Sequence, residues 1–213
     1  MKDTDDATPI VIRVTGGIGS GKSAFCAALE KLGATLFNAD AEAKRLMTED
    51  EALRTAITDA FGASSYLPDG SLNRQFLADR VFGDHDALVR LNALVHPAVF
   101  RSLESAISRA AATGIPYLVY EAALLSDREG LFDVDVVIDS PLADRVARVG
   151  ERDSRSEESV LERAREQPTR QQYLERADYV VLNDGSLDEL RSKAAVLLKS
   201  IESDFFASGR GDA

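Results

Sequence analysis

Gly16, Gly21, Lys22 and Ser23 occupy the fixed positions of the pattern G-x-x-x-x-G-K-[ST] within Thr15-Gly-Gly-Ile-Gly-Ser-Gly-Lys-Ser23. Each residue type has a physical task there. Glycines permit positive φ, so successive backbone N–H groups can turn inward around an anion without a Cβ in the way. A helix that opens at the lysine points its unpaired amides and the positive end of its dipole at the same anion. Lys22 can span two phosphates of a nucleotide, and the Ser23 hydroxyl can ligate Mg²⁺. Gly17, Ile18, Gly19, Ser20, Gly21, Lys22, Ser23 and Ala24 are therefore the candidate contacts to nucleotide phosphates. The apolar run Ile10–Val14 leads into the loop, and the apolar helix Ala24–Leu32 follows it. An incidental glycine turn would need neither flank.

The loop holds phosphate but does not name a reaction, because GTPases, ATPases, motors and small-molecule kinases share it. Two carboxylates narrow the field. Ala34–Asn38 reads as a strand that delivers Asp40 to its carboxyl end, where open α/β sheets bind ligands. Asp40 can accept the proton of an attacking hydroxyl, or it can cap the helix predicted over Ala41–Met47. Tyr117–Glu121 is an apolar run ending in an acid, the shape of a strand that holds Mg²⁺ through water. Glu121 equally suits a helix cap or a contact to the acceptor.

The remaining reactive side chains carry less. Residues 145 to 176 contain Arg145, Arg148, Arg152, Arg155, Arg163, Arg165, Arg170 and Arg176 and no lysine. They read either as a phosphate-facing cluster or as a solvated helical face threaded with Glu151, Glu157, Glu158, Glu162 and Glu166. His96 precedes Pro97, which predicts a helix break there and a local hydrogen-bonding role. Cys26 lies beside Phe25 and near Leu29 as a small core residue. No Cys/His cluster has metal-ligand spacing, so Mg²⁺ arriving with ATP is the one metal expected.

Positioning these groups requires a sheet. Five apolar runs read as strands: Ile10–Val14, Ala34–Asn38, Tyr117–Glu121, Val134–Ile138 and Tyr179–Leu182. They are continuously apolar, as in parallel strands covered by helices on both faces, and their alternation with helical segments predicts a doubly wound α/β sheet. Ser186 and Glu189 form a capping box that starts a last helix with Leu190, Ala194, Leu197, Leu198 and Ile201 on one face. Helical periodicity recurs over 52–61, 72–81 and 88–107, with a turn at Pro68-Asp69-Gly70. That predicts a helical insert between the second and third strands, a natural home for a second substrate.

Composition bounds the partners. A formal net charge of -11 opposes a nucleic-acid surface, which needs clustered cations. No run approaches a membrane span, the acidic start Met1–Thr8 has the wrong chemistry for a signal peptide, and a single cysteine suits a reducing cytoplasm.

In order and spacing the chain resembles the dephospho-coenzyme A kinases. The similarity runs through Val14–Ser23, Asn38-Ala-Asp40, Asp69-Gly-Ser-Leu-Asn-Arg74, Arg80-Val-Phe82 and Leu94-Val-His-Pro97. It continues through Glu121-Ala-Ala-Leu-Leu125, Val137-Ile-Asp-Ser-Pro141, Arg148 to Asp153 and Arg176 to Asn183. The resemblance implies a P-loop NTPase fold with a five-stranded parallel sheet, a helical CoA-domain insert and a helical, mobile lid. It assigns 9–48, 109–147 and 177–206 to the nucleotide-binding core, 49–108 to the acceptor domain and 148–176 to the lid, with 1–8 and 207–213 as frayed termini. It implies transfer of the ATP γ-phosphoryl group to the ribose 3′-hydroxyl of dephospho-CoA in the cytoplasm, by a monomer or weak homo-oligomer without nucleic-acid or membrane partners. Asp40 then matches the general base, acting with Lys22, Arg148 and Arg152. Asn183 would lie by the adenine, and Asp40, His96, Glu121, Leu124 and Leu125 on the acceptor's side.

Three departures stand out. Ala24 replaces a commoner Thr, Glu121-Ala-Ala-Leu-Leu-Ser-Asp127 replaces Asp-x-Pro-Leu-Leu-Phe-Glu, and Gln167-Pro-Thr-Arg170 replaces a Gln-Met segment. They point to an altered acceptor-pocket wall and a different bend at the lid's exit, and none removes a catalytic group. Two other readings survive: a kinase of similar architecture for another small molecule or a nucleoside monophosphate, and a regulatory protein that binds ATP without phosphoryl transfer.

Overall fold

The computed structural model describes residues 8–123, 130–153 and 156–207. The chain divides into two compact units, Met1–Phe37 with Ile107–Ala213, and Asn38–Ala106. In the first, five strands, β1 (Ile10–Thr15), β2 (Thr35–Asn38), β3 (Tyr117–Glu121), β4 (Val134–Asp139) and β5 (Tyr179–Leu182), form one sheet in the order β2-β3-β1-β4-β5. The β1·β3, β1·β4 and β4·β5 pairings are parallel, as the unbroken apolar runs predict. β1 is central, so the loop that leaves its carboxyl end emerges in the middle of the sheet.

Successive β1 side chains point to opposite faces. Ile12 and Val14 are fully buried in a core built with Phe25, Cys26 and Leu29 of α1 (Lys22–Lys31) and Leu190, Ala194, Leu197, Leu198 and Ile201 of α9 (Leu187–Ala207). The α9 stripe is the one the periodicity predicts, and its capping box forms: Ser186 N–H donates to Glu189 Oε2 at 2.6 Å, and Glu189 N–H to Ser186 Oγ at 3.2 Å. Two tyrosines tie this helix to the sheet, Tyr117 bonding Glu202 and Tyr179 bonding Asp204 through their hydroxyls.

The other β1 face carries Arg13, only 6% exposed. A charge can sit there because it is paired: its Nη2 donates to Asp135 Oδ2 at 2.5 Å while Nε reaches Oδ1, and the guanidinium lies 4.6 Å from the Phe132 ring centroid. Three short helices follow β4, namely α6 (Leu142–Asp153), α7 (Glu157–Arg165) and α8 (Arg170–Leu174).

The second unit is helical. Asn38 caps α2 (Ala39–Glu49), Asp50 caps α3 (Glu51–Phe61) and Asn73 caps α4 (Arg74–Val81), each accepting from an N–H three residues on. The turn at Pro68-Asp69-Gly70 closes with Gly70 N–H bonded to Leu67 O at 2.9 Å. α5 (His85–Ala112) corrects one expectation: it continues through Pro97 with no break at His96. Proline forfeits one N–H bond and crowds the preceding turn, but Val95, Ala98, Val99 and Phe100 beside it are buried, and their packing outweighs that local cost.

The Arg13–Asp135 pair generates a prediction. Asp135→Ala should destabilise the protein by about 3 kcal/mol, because it removes the carboxylate paired with a buried cation. Replacing both with apolar residues, Arg13→Met with Asp135→Leu, should recover most of that loss. Urea denaturation of the single and double variants checks this, and equal losses would show that packing and not the lost pairing is responsible.

Candidate active site

The glycine loop between β1 and α1 adopts a cradle conformation. Gly16 has φ 141°, and a Cβ built on it would fall 2.4 Å from the Ile138 carbonyl oxygen, so only glycine fits between β1 and β4. α1 starts at Lys22, with Gly21 in the left-handed region and no side-chain cap. Its first intrahelical bond runs from Phe25 N–H to Gly21 O at 3.0 Å, so the helix itself claims none of the amides of residues 22 to 24. No acidic residue occupies that first turn. Together these features suit an anion at the helix start.

Lys22 folds back over this space, its Nζ donating to Gly16 O at 2.7 Å and Gly17 O at 3.1 Å. Ser23 Oγ donates to Glu121 Oε1 at 2.6 Å. The sequence reading left Glu121 with three possible tasks, and the structure brings it to the serine. A hydroxyl and a carboxylate side by side at the carboxyl ends of β1 and β3 are hard oxygen donors of the kind Mg²⁺ takes, so the residues present fit that ion. Among the described residues no group of three or more His, Cys, Asp or Glu could hold a metal alone, which suits an ion completed by phosphate oxygens and water.

The segments after β4 and β5 close on the loop from one side. Arg148 Nη1 donates to Ser140 Oγ at 2.8 Å and more loosely to Gly19 O at 3.4 Å, and its Nη2 reaches Asn183 O at 3.1 Å. Asn183, expected beside an adenine, is buried with its Nδ2 donating to Ser20 O at 2.8 Å. Its amide is committed to the cradle. Arg152 is exposed and pairs with its neighbour Asp153 through two bonds of 2.7 and 2.8 Å.

Four residues near the loop lie outside the sequence-predicted site set. Arg145 Nε donates to Ile18 O at 2.9 Å, and Gln167 Oε1 accepts from Ile18 N–H at 2.6 Å. Arg170 places Nε and Nη2 on Asp139 Oδ2 at 2.9 and 2.7 Å. Tyr173 donates to the Ala123 carbonyl at 2.6 Å, and burial pushes its hydroxyl up to about 12. A local signal existed for this region: Thr169 and Gln172 make a capping box that starts α8 and fixes where Arg170 and Tyr173 point. A cavity of about 540 Å³ opens between these helices, lined in part by Ser140, Leu142, Arg145, Leu161, Pro168 and Leu182.

In the second unit, Asp40 lies in the first turn of α2 and is exposed. The capping task it could have taken belongs to Asn38, whose Oδ1 accepts from Ala41 N–H at 2.8 Å. Among the described residues the Asp40 carboxylate has no hydrogen bond or ion pair. His96 is exposed on α5 with its ring edge-on to Phe100, 6.5 Å between centroids. Leu124 and Leu125 lie outside the described residues.

Comparison with known proteins places this geometry in context. The family model described as dephospho-CoA kinase matches residues 10–189. A protein named dephospho-CoA kinase from Salinibacter ruber is 49% identical over 86% of this chain and 94% of its own length. A crystal structure from Thermus thermophilus superposes with a TM-score of 0.74 at 37% identity, covering 90% of this chain and 97% of that one. The structure of a dephospho-CoA kinase from Campylobacter jejuni, 23% identical, shares the fold with a TM-score of 0.60 over 92% of this chain and 98% of its own.

Cys26 senses the site's charge. Its thiol is raised well above the ordinary 9.0, first by burial and then by the Glu121 carboxylate. A thiol that stays protonated when folded but ionises when unfolded makes stability fall as pH rises above 9.0. Cys26→Ala or Cys26→Ser should flatten the alkaline limb of a stability–pH profile between about pH 8.5 and 10.5. An unchanged limb in both variants would exclude Cys26 as its source.

Proposed function

The chain belongs to the dephospho-CoA kinase family, and on that premise we propose that it transfers the γ-phosphoryl group of ATP to the ribose 3′-hydroxyl of dephospho-CoA. The products are coenzyme A and ADP, and the reaction is the final step of CoA synthesis. The observation that carries this reading is the family match over residues 10–189, which spans the phosphate loop, Asp40 and Glu121 alike.

The roles follow from the chemistry of the groups. The amides of Gly19 and of Gly21 to Ala24 and the Lys22 ammonium hold the β- and γ-phosphates. The nucleotide would replace the two loop carbonyls that Lys22 now contacts. Ser23 and Glu121 would hold Mg²⁺, Ser23 directly and Glu121 through water, and the ion would neutralise charge on the β- and γ-oxygens. Asp40 takes the proton of the 3′-hydroxyl as that oxygen bonds to the γ-phosphorus and the bond to the ADP oxygen breaks. Its uncommitted carboxylate supports this role. Arg148 and Arg152 meet the charge spread over the transferring phosphoryl oxygens, and planar arginine suits that task better than lysine. For Arg152 this means exchanging Asp153 for phosphate.

Residues 49–108 would bind the acceptor, with Glu121, Leu124, Leu125 and His96 lining its site. Residues 148–176 would act as the lid that excludes water from the γ-phosphoryl group. The 540 Å³ cavity supports a nucleoside there: Leu142, Leu161, Pro168 and Leu182 offer apolar contact to a base, and Ser140 a polar one to a ribose. We assign Asn183 to bracing the loop behind that nucleoside. The protein would act in the cytoplasm as a monomer or weak homo-oligomer. No described helix is long and apolar enough to cross a membrane.

Purified protein with Mg-ATP should release ADP only when dephospho-CoA is added, and the product should carry the new phosphate at the 3′ position. Turnover confined to a different acceptor would defeat the proposal. Asp40→Asn should lower kcat by about 10²–10⁴-fold, the range for a lost general base, with ADP affinity within about twofold of the wild type. A variant retaining full turnover would remove Asp40 from the mechanism.

A further inference from the structure

We infer that Arg145 and Gln167 are positioning residues that lock the Ile18–Gly19 peptide of the phosphate loop in one orientation, and thereby aim the Gly19 N–H at the nucleotide's terminal phosphates. The inference rests on reading this loop as the ATP cradle, and it adds to the proposed reaction two residues that do not touch the reacting atoms.

The loop's first half is a tight turn. Ser20 N–H bonds to Gly17 O at 3.1 Å, which makes Ile18 and Gly19 its two central residues. Gly19 has φ 75°, the signature of a type II turn at its third position. Type I and type II turns differ chiefly by a flip of the central peptide, here the Ile18–Gly19 unit. With glycine third, both forms are sterically open. Left to itself, the loop has no group that chooses between them.

Side chains from outside the loop make the choice. Arg145 on α6 donates from Nε to Ile18 O at 2.9 Å, and so holds the carbonyl of the peptide that would flip. Gln167, beyond α7, accepts Ile18 N–H at 2.6 Å and holds the preceding peptide. Both backbone groups of one residue are thus fixed by two different segments. Because a trans peptide sets N–H opposite C=O, a carbonyl anchored on Arg145 turns the Gly19 N–H away from α6.

Arg145 fits this place closely. A Cβ on Gly17 would lie 2.3 Å from its Nη2 and 2.5 Å from its Cζ, so the guanidinium lies directly against that residue. A Cβ on Gly19 would lie 2.4 Å from the Arg145 carbonyl oxygen. The α6 turn at Arg145 therefore meets the loop through backbone as well as side chain. Burial lowers the guanidinium's affinity for its proton, with Tyr173 and Asp139 opposing that shift, in keeping with a cation taken from solvent for a structural contact. Lysine could carry the charge but not the plane lying on Gly17.

Nucleotide binding by calorimetry tests this without any acceptor. Arg145→Met and Gln167→Leu should each weaken ATP binding about 10-fold, a tenfold change matching one lost hydrogen bond of ordinary strength. Because both fix the backbone of one residue, Ile18, the double variant should fall well short of the roughly 100-fold expected for independent sites. Arg145→Lys should behave like Arg145→Met. In turnover assays KM for ATP should rise while KM for dephospho-CoA stays within about twofold. In ¹⁵N-resolved spectra, the shift of the Gly19 amide proton on adding ADP should shrink in Arg145→Met. The inference is overturned if the single variants bind ATP like the wild type, if their effects multiply fully, if Arg145→Lys is fully competent, or if both KM values rise together with a lowered Tm. Wild-type protein that binds ATP but leaves dephospho-CoA untouched would defeat the proposed reaction and leave this inference standing.

Discussion

A loop that turns its N–H groups toward an anion leaves its carbonyls facing outward, and each carbonyl then needs a donor from elsewhere in the chain. The whole neighbourhood of this site answers that constraint. Lys22 serves Gly16 O and Gly17 O, Arg145 serves Ile18 O, Arg148 approaches Gly19 O, and Asn183 serves Ser20 O. Those donors come from α1, from α6 and from the end of β5. The order of the sheet makes this possible, because β1 at its centre puts the loop between the carboxyl ends of β3 and β4. Glu121 at the end of β3 can then meet Ser23, and Asp139 at the end of β4 can anchor Arg170.

The constraint also explains how an acidic protein keeps its cations where they are needed. With a net charge of -11, most of the surface repels phosphate. The arginines that follow β4 divide into distinct tasks. Arg145 and Arg148 face backbone oxygens, Arg170 faces Asp139, and Arg152 faces an adjacent aspartate. The solvated alternative fits the exposed Arg163, Arg165 and Arg176, while Arg145 and Arg148 serve a use that neither sequence alternative named, holding the loop's own framework. Arg13 shows the same economy inside the sheet, where one aspartate and one aromatic ring make a buried cation tolerable.

How much the sequence disclosed tracks the range of each interaction. All five strands, the glycine loop and the Ser186–Glu189 cap depend on residues close in the chain, and they were legible. Asp40 was ambiguous between cap and base because Asn38, Ala39 and Asp40 are adjacent and a cap can shift by one or two residues; the bond from Ala41 N–H to Asn38 gives the cap to Asn38. The break expected at Pro97 weighed a local cost without the burial of the surrounding α5 residues. Arg145, Gln167 and Asn183 reach the loop from more than a hundred residues away, so the sequence could single out their segments without showing which loop atoms they hold. The Thr169–Gln172 box, like the Asp50, Asn73 and Ser156 caps, was local and overlooked.

The contact of Arg145 with Gly17 has a consequence for how such a chain can change over time. No side chain at position 17 can coexist with a guanidinium lying where this one does. A lineage that lost the glycine would have to shorten or redirect residue 145 in step, and one that shortened residue 145 first would free position 17 to drift. The two sites, far apart in the chain, share one volume, so the effect of a substitution at either depends on where the side chain at the other lies.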